Sequence, residues 1–352
     1  MVRPQIMLGL CGLQVATAKA ERSFENLVVF GDSYTDEQNL SYLINNGGEW
    51  PPPGTVLGAV NKTGATGGYT WPRIAVDKSD KNLFNFAVAG ASCSEKIIYR
   101  QFDPIGGPFP GVLEGAIPAF ESQLGTEPYS DLTADNTVYG VWIGTNDFGN
   151  GAFLTDQQQP GTTITDYIDC LWSVYDRIYA SGGRRFVLLN LSPLDKLPQY
   201  DASQGLDTTY FKDHTQYNMT MLEYKIHQYT TTVNTAFDYG VPFQLLVKKR
   251  WPGAEFSIFN VHQLILDIYN NPEEYLAPPA DVKGVYRRCD PVTGDCVESK
   301  ESLDSFLWFD ELHIAEKANE YIAEEFLGVV AGDSKYGTTY KSKKCAKSKH
   351  DL

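Results

Sequence analysis

A chain of 352 residues with 42% hydrophobic and 13% aromatic content is long enough to bury one large core, or at most two. Its formal net charge of −15 at pH 7 argues against a nucleic-acid partner, which calls for a basic face that neutralises phosphates. No stretch after residue 20 approaches the ~18 apolar residues needed to span a bilayer, so the mature chain is expected to be soluble, with no membrane partner.

Residues 1–20 read as a secretory leader. Arg3 supplies the positive start, Ile6 to Val15 is mostly apolar, and Ala18-Lys19-Ala20 fits the small-x-small cleavage pattern. Cleavage would remove Cys11 and leave Cys93, Cys170, Cys289, Cys296 and Cys345, an odd set with at least one thiol unpaired or bonded to another molecule. In an oxidising compartment, Cys289 and Cys296 on either side of Asp-Pro-Val-Thr-Gly-Asp are expected to close a small loop. No C-x-x-C and no histidine pair at ligand spacing is present, so neither a metal nor another cofactor is expected.

Continuous apolar runs at Leu27–Phe30, Leu83–Val88, Thr137–Ile143, Phe186–Leu191 and Pro242–Val247 predict parallel strands covered on both faces. Among them, Tyr167–Ala180, Leu222–Phe237 and Ala315–Val330 carry apolar residues at helical spacing. Alternation of strand and helix predicts a three-layer α/β/α sandwich of flavodoxin-like type, with one domain over 21–334. Trp50–Gly68 and Asp103–Pro118, rich in Pro and Gly, are expected to be long surface loops on the ligand-binding edge. From about Lys335 the chain is Lys-rich, and 335–352 is expected to be a solvated, disordered tail. Of the four N-x-S/T sequons, those at Asn61 and Asn218 are the better glycosylation acceptors. Asn39 lies too near Ser33, and Asn190 ends a core strand.

Four blocks carry chemistry. Gly31-Asp32-Ser33-Tyr34-Thr35-Asp36, with Asn39, follows the first strand. Asn85 to Ser92 and Trp142-Ile143-Gly144-Thr145-Asn146-Asp147 lie at two further strand ends, and Asp310-Glu311-Leu312-His313 leads into the last helix. Loops after parallel strands share one sheet edge, so blocks scattered in sequence can meet in space. A serine hydroxyl needs a neutral imidazole to take its proton, and the imidazole needs an orienting carboxylate. Ser33 is a candidate nucleophile, and His313 is the one histidine of five with an acid three residues earlier, Asp310. The backbone N–H groups of Ser33 and Gly90, with the Asn146 amide, would give three donors to an oxyanion. Asp36 and Asn39 are expected to stabilise the loop. Cys93 is expected to be disulfide-bonded or inertly buried. Gly-x-Ser-x-Gly is lacking, as are the nucleotide-binding glycine motifs.

The four blocks resemble the GDSL or SGNH hydrolase superfamily, whose letters fall on Ser33, Gly90, Asn146 and His313. FGDSYTD, GGYTWPR and NFAVAGAS look most like fungal secreted acetylesterases of carbohydrate esterase family sixteen. The resemblance implies Ser33 as nucleophile, His313 as general base and Asp310 as its partner, with Ser33, Gly90 and Asn146 as oxyanion hole. It also implies acetylated, hemicellulose-derived oligosaccharides as substrates; a monomer is expected. Tyr34 stands where leucine is usual and Glu37-Gln38 where many members have Thr-Gly, so Tyr34 is expected to alter the pocket wall. Trp71, Trp142, Phe148 and Trp308 flank the blocks and could stack on a sugar, although such aromatics are more often core. A lipase or phospholipid acylhydrolase is the alternative within hydrolases, and a non-catalytic carbohydrate binder is the alternative outside them.

Overall fold

The computed structural model describes residues 23–57, 65–203, 207–212 and 214–343. The expected leader, the sequon at Asn61, Cys345 and the end of the expected tail lie outside the described residues. A six-stranded sheet organises the rest. Its strands are β1 (Asn26–Gly31), β2 (Asn82–Asn85), β3 (Thr137–Trp142), β4 (Arg185–Leu189), β5 (Glu255–Phe259) and β6 (Gly337–Lys341). They lie in the order β6-β5-β4-β3-β1-β2, parallel except for β6, which runs antiparallel to β5. Every residue of β1 and β3 is buried, which is why these runs are apolar without alternation.

The α-helices among the described residues are α1 (Asn39–Asn45), α2 (Trp71–Ser79), α3 (Ile117–Gln123), α4 (Ile164–Ala180), α5 (Met219–Pro242), α6 (Val261–Asn270) and α7 (Glu316–Ala331). On one face of the sheet Trp71 of α2 meets Phe326 of α7 with ring centroids 4.7 Å apart, and Gly140 of β3 leaves room for both rings. On the other face Phe120 of α3 meets Tyr139 of β3, and Tyr175 of α4 packs on Phe186 of β4 and Phe256 of β5. Adjacent residues 139 and 140 point to opposite faces, as a pleated strand requires. Fully burying each such side chain contributes roughly 1.5–3 kcal/mol. The expected three-layer α/β/α sandwich is therefore present, with a mostly parallel sheet.

Local signals set the helix ends. Thr163 and Asp166 form a capping box at the start of α4, and Gly182, in the left-handed region, lies just past its end. Asn218 caps α5 by accepting from the Met221 N–H at 3.2 Å, and Gly332 closes α7.

Four sequence readings are corrected. Pro242–Val247 is not a strand: it finishes α5 and continues as a wide helical turn, Phe243–Val247. Helical spacing there buries Val241 and Leu245, four residues apart, and exposes Phe243, Leu246 and Val247. The fifth strand comes later, at β5. The supposed tail is part of the sheet through β6, whose Thr339 hydroxyl meets that of Ser257 on β5 at 2.8 Å. An edge strand carries lysine without penalty, so a Lys-rich run does not exclude one. The second strand stops at Asn85, although the Phe86 and Val88 N–H groups still donate to the Val29 and Gly31 carbonyls. Finally, 103–118 is not all loop: it holds the helical turns Asp103–Ile105 and Val112–Ala116 and runs into α3.

Cys93 is bonded to Cys170 of α4, and Cys289 is bonded to Cys296 across a short hairpin, Arg287–Cys289 with Cys296–Glu298.

Candidate active site

The first block leaves β1 through Gly31, which pairs with Trp142 of β3. A Cβ on Gly31 would fall 2.4 Å from the Trp142 carbonyl oxygen, so only glycine permits the close pairing there. The chain then turns tightly. The Thr35 and Asp36 N–H groups donate to the Asp32 carbonyl, and the Tyr34 N–H donates to the Asp32 carboxylate at 3.1 Å. Ser33 sits on this turn, 6% exposed.

Asp36 and Asn39 hold the turn in place. The Asp36 carboxylate accepts the N–H groups of Gln38, Asn39, Leu40 and Ala89 at 2.8, 2.7, 3.1 and 2.8 Å. The Asn39 amide donates to the carbonyls of Asn85 and Ala87 at 2.9 and 2.8 Å. Together they tie the serine turn to the second block and set where Gly90 lies. Gly90 has φ +91°, and a Cβ there would come within 2.7 Å of the Phe109 ring. A side chain would thus meet Phe109 and a strained backbone, whatever it did to an incoming acyl oxygen. The N–H groups of Ser33 and Gly90 donate to no acceptor among the described residues. From the third block, the Asn146 amide donates to the Ala91 carbonyl at 2.9 Å, next to Gly90.

The fourth block follows the short strand Phe306–Trp308. Within it the His313 backbone N–H donates to Asp310 Oδ1 at 2.8 Å. The ring Nδ1 lies 2.8 Å from Oδ1 and 2.9 Å from Oδ2. His313 Nε2 lies 2.8 Å from Ser33 Oγ across 280 residues of sequence. Serine, imidazole and carboxylate therefore form one hydrogen-bonded line, with His313 4% and Asp310 7% exposed.

Burial alone would push the Asp310 carboxyl up. The His313 ring beside it, the Leu312 N–H and the Tyr210 hydroxyl outweigh that and hold it below the usual carboxylate value. Asp32 and Asp147 are different. Burial pushes each up to about 7, against opposing pulls from the Tyr34 N–H and His313 on Asp32, and from the Cys93 N–H and Arg100 on Asp147.

The expected sugar platforms are not free to stack. Trp71 and Trp308 are fully buried and donate their indole N–H to Thr35 Oγ1 (3.1 Å) and the Val282 carbonyl (2.9 Å). Phe148 packs against Phe153, Tyr167 and Tyr229, and Trp142 is buried against Tyr34 at 5.0 Å. Their faces are filled by protein. Tyr34 is likewise no pocket wall. It is 2% exposed, and its hydroxyl donates to the Leu312 carbonyl at 2.8 Å, bracing the serine turn against the histidine loop.

Two aromatics that sequence reading passed over lie at the site. Phe109 covers Gly90, with the Arg100 guanidinium 4.8 Å from its ring and donating to the Gly90 carbonyl. Tyr210 donates its hydroxyl to Asp310 Oδ2 at 2.8 Å. Neither belongs to a local motif, and only their positions in space single them out. Of the sequons, Asn39 and Asn190 are buried and hydrogen-bonded, whereas Asn218 is exposed.

A mostly parallel sheet of flavodoxin-like strand order, flanked by two helical layers and with these loops gathered on its C-terminal edge, defines a three-layer α/β/α class. The family model of the GDSL-like lipase/acylhydrolases matches residues 27–326, and the chain belongs to that family. It is 43% identical over 327 residues to an acetylesterase of Hypocrea jecorina, spanning 92% of this chain and 93% of that protein. It is 24% identical to an acetylesterase of Thermothelomyces thermophilus, over 88% of this chain and 90% of the other. A GDSL esterase/lipase of Arabidopsis thaliana is also 24% identical, over 85% of this chain and 82% of its own length. The protein is accordingly a carboxylic ester hydrolase.

Proposed function

We propose that the protein removes acetyl and other short acyl groups from carbohydrate hydroxyls through an acyl-enzyme on Ser33. The observation that carries the proposal is the hydrogen-bonded line from Ser33 Oγ through His313 to Asp310. Ser33 Oγ attacks the ester carbonyl as His313 Nε2 takes its proton, while Asp310 orients the ring and steadies the imidazolium. The Ser33 and Gly90 N–H groups and the Asn146 amide stabilise the oxyanion. Collapse of the tetrahedral adduct breaks the C–O bond, and His313 gives the proton to the departing sugar alcohol. Water, deprotonated by His313, then attacks the acyl-serine; the acid leaves and Ser33 recovers its proton.

Two observations favour a small acyl group. Phe109 and Arg100 crowd the space beside Gly90, and the acetylesterase of Hypocrea jecorina is 43% identical. The carbohydrate alcohol, from hemicellulose-derived oligosaccharides, rests on the resemblance carried by FGDSYTD, GGYTWPR and NFAVAGAS. On the same reading the protein is secreted. Residues 1–20 are a cleaved leader, and two disulfides suit an oxidising compartment. The catalytic domain then runs from residue 21 through β6, with Asn61 and Asn218 as glycosylation acceptors.

Replacing Ser33 with Ala should lower turnover of an aryl acetate by about 10⁶, the scale of nucleophile loss in a serine hydrolase, without changing Tm. Wild-type turnover by this variant would end the proposal. Partially acetylated xylo-oligosaccharides should release acetate with the wild-type protein only. A chain-length series should fall steeply beyond acetyl, and a preference for long acyl esters would favour a lipase instead.

A further inference from the structure

We propose that Tyr210 is a positioning residue that holds Asp310 and thereby sets the pH at which His313 becomes a base. The inference rests on the reading of Ser33, His313 and Asp310 given above. Tyr210 belongs to the segment 207–212, yet its hydroxyl reaches Asp310 Oδ2 at 2.8 Å across a sequence separation of 100. Its ring meets the His313 imidazole edge-on, with centroids 5.2 Å apart. The segment is anchored by its neighbour. Phe211 is buried against Tyr200 and Tyr217, and its N–H donates to Thr208 Oγ1 at 2.9 Å. Tyr210 itself is 40% exposed, so its side chain is not needed to fill the core.

The hydrogen bonds to Asp310 show what the tyrosine adds. Oδ1 accepts the Leu312 and His313 backbone N–H groups and faces Nδ1, whereas Oδ2 has Nδ1 and the Tyr210 hydroxyl. Burial and the Asp310 charge keep that hydroxyl protonated, so it remains a donor throughout the working pH range. A carboxylate whose charge is shared with a second donor attracts the imidazolium proton less strongly. Removing the hydroxyl concentrates the charge on the Nδ1 proton, favours imidazolium and raises the pH needed to free the base. It also loosens the carboxylate that orients the ring.

Other charged groups surround the pair. Asp32 lies near the imidazole, Glu311 near Asp310 and His313, Arg287 near Tyr210, and Arg288 pairs with Glu311 at 3.7 Å. Tyr34 lies near Asp310 and meets the imidazole ring from a separate loop. Tyr210→Phe leaves all of these in place and keeps the ring.

The test measures kcat/KM for an aryl acetate against pH for wild type, Y210F and S33A, with Tm for each. Y210F should move the acid limb upward by about half a pH unit or more and lower kcat by about three- to tenfold, with KM little changed. The downfield proton resonance of the His313 Nδ1–H should shift in the same variant, a readout independent of turnover. Y210L should show the same limb shift with a larger fall in kcat, and serves if the phenylalanine variant folds poorly. An acid limb coincident with wild type in the folded variant overturns the proposal, whatever happens to Tm. S33A separates the two readings. Full activity there removes the Ser33 mechanism and this inference with it, whereas inactive S33A with an unmoved Y210F limb removes only the role of Tyr210.

Discussion

The two sides of the site are built in different ways. The Ser33 side grows out of the sheet: β1 and β3 are buried throughout, Gly31 fits against the Trp142 carbonyl, and Asp36 gathers four N–H groups. The His313 side hangs from a three-residue strand and is held by reaches from elsewhere. The Phe309 N–H donates to the His313 carbonyl, and the Phe309 carbonyl accepts the Arg287 N–H. The Gln199 N–H donates to the Glu311 carbonyl, and Tyr34 and Tyr210 supply hydroxyls. The Ser33 side should therefore fail by unfolding when its framework is cut. The His313 side should fail by losing alignment while the fold stands.

The largest expected effect that sharpens this contrast lies in the donor set. Asn146→Ala should lower kcat by about 10²–10³, the usual cost of one oxyanion donor. Ala91 is buried, so its carbonyl loses a partner, and stability should fall by about 1–3 kcal/mol with the fold intact. Stopped-flow acylation with an aryl acetate reads the fall in rate directly, and a loss below about tenfold would remove Asn146 from the oxyanion hole.

Asp36→Ala tests the framework. It leaves the Gln38, Asn39, Leu40 and Ala89 N–H groups without their acceptor, and each buried unsatisfied donor costs about 1–3 kcal/mol. Partial hydration of the half-buried ones brings the expected loss to about 3–5 kcal/mol, measured by urea unfolding. Tyr34→Phe is the counterpart across the site. It removes the bond to the Leu312 carbonyl, worth about 1 kcal/mol, and should lower kcat several-fold with the fold intact. Equal losses of stability in the two variants would break the comparison.

Phe109→Ala should widen the space beside Gly90 and raise the butyrate-to-acetate ratio of kcat/KM by about tenfold, since a methylene or two in a pocket is worth about 1–3 kcal/mol. An unchanged ratio would place the acyl group elsewhere.

The prediction that touches catalysis least concerns stability against pH. Asp32 and Asp147 are pushed up to about 7 in the folded protein, so the native state holds protons there that the unfolded chain has released. Stability should therefore fall as pH rises from about 4 to about 7, opposite to the trend for a carboxylate held low, such as Asp310. Asp147→Asn should flatten the slope, which thermal unfolding across that range would show. On the proposed mechanism activity runs the other way, falling toward acid as an imidazole base is lost to protonation.

Much of this molecule was legible in its sequence. Fully buried strands leave continuous apolar runs, and four of the five expected strands lie where those runs are. Ser33, Asp310 and His313 could be picked out because a strand-end turn and an acid three residues before a histidine are local patterns. Pro242–Val247 misled because a short apolar run looks alike as strand or helix end, and only the packing of Val241 and Leu245 decides. The aromatics misled for a related reason: composition marks Trp71 and Trp308 as large and apolar, but not whether their faces are already covered.

What the chain alone determined is therefore whatever repeats or clusters within a few residues: strand and helix periods, capping residues, and the blocks themselves. Tertiary structure alone decided the pairing of Cys93 with Cys170, the antiparallel edge at β6, the bracing role of Tyr34 and the presence of Phe109 beside Gly90 and Tyr210 beside Asp310. Each of these joins segments far apart along the chain. Such contacts have no period or spacing to read, because they form only when the packed sheet and helices fix the loops in one arrangement.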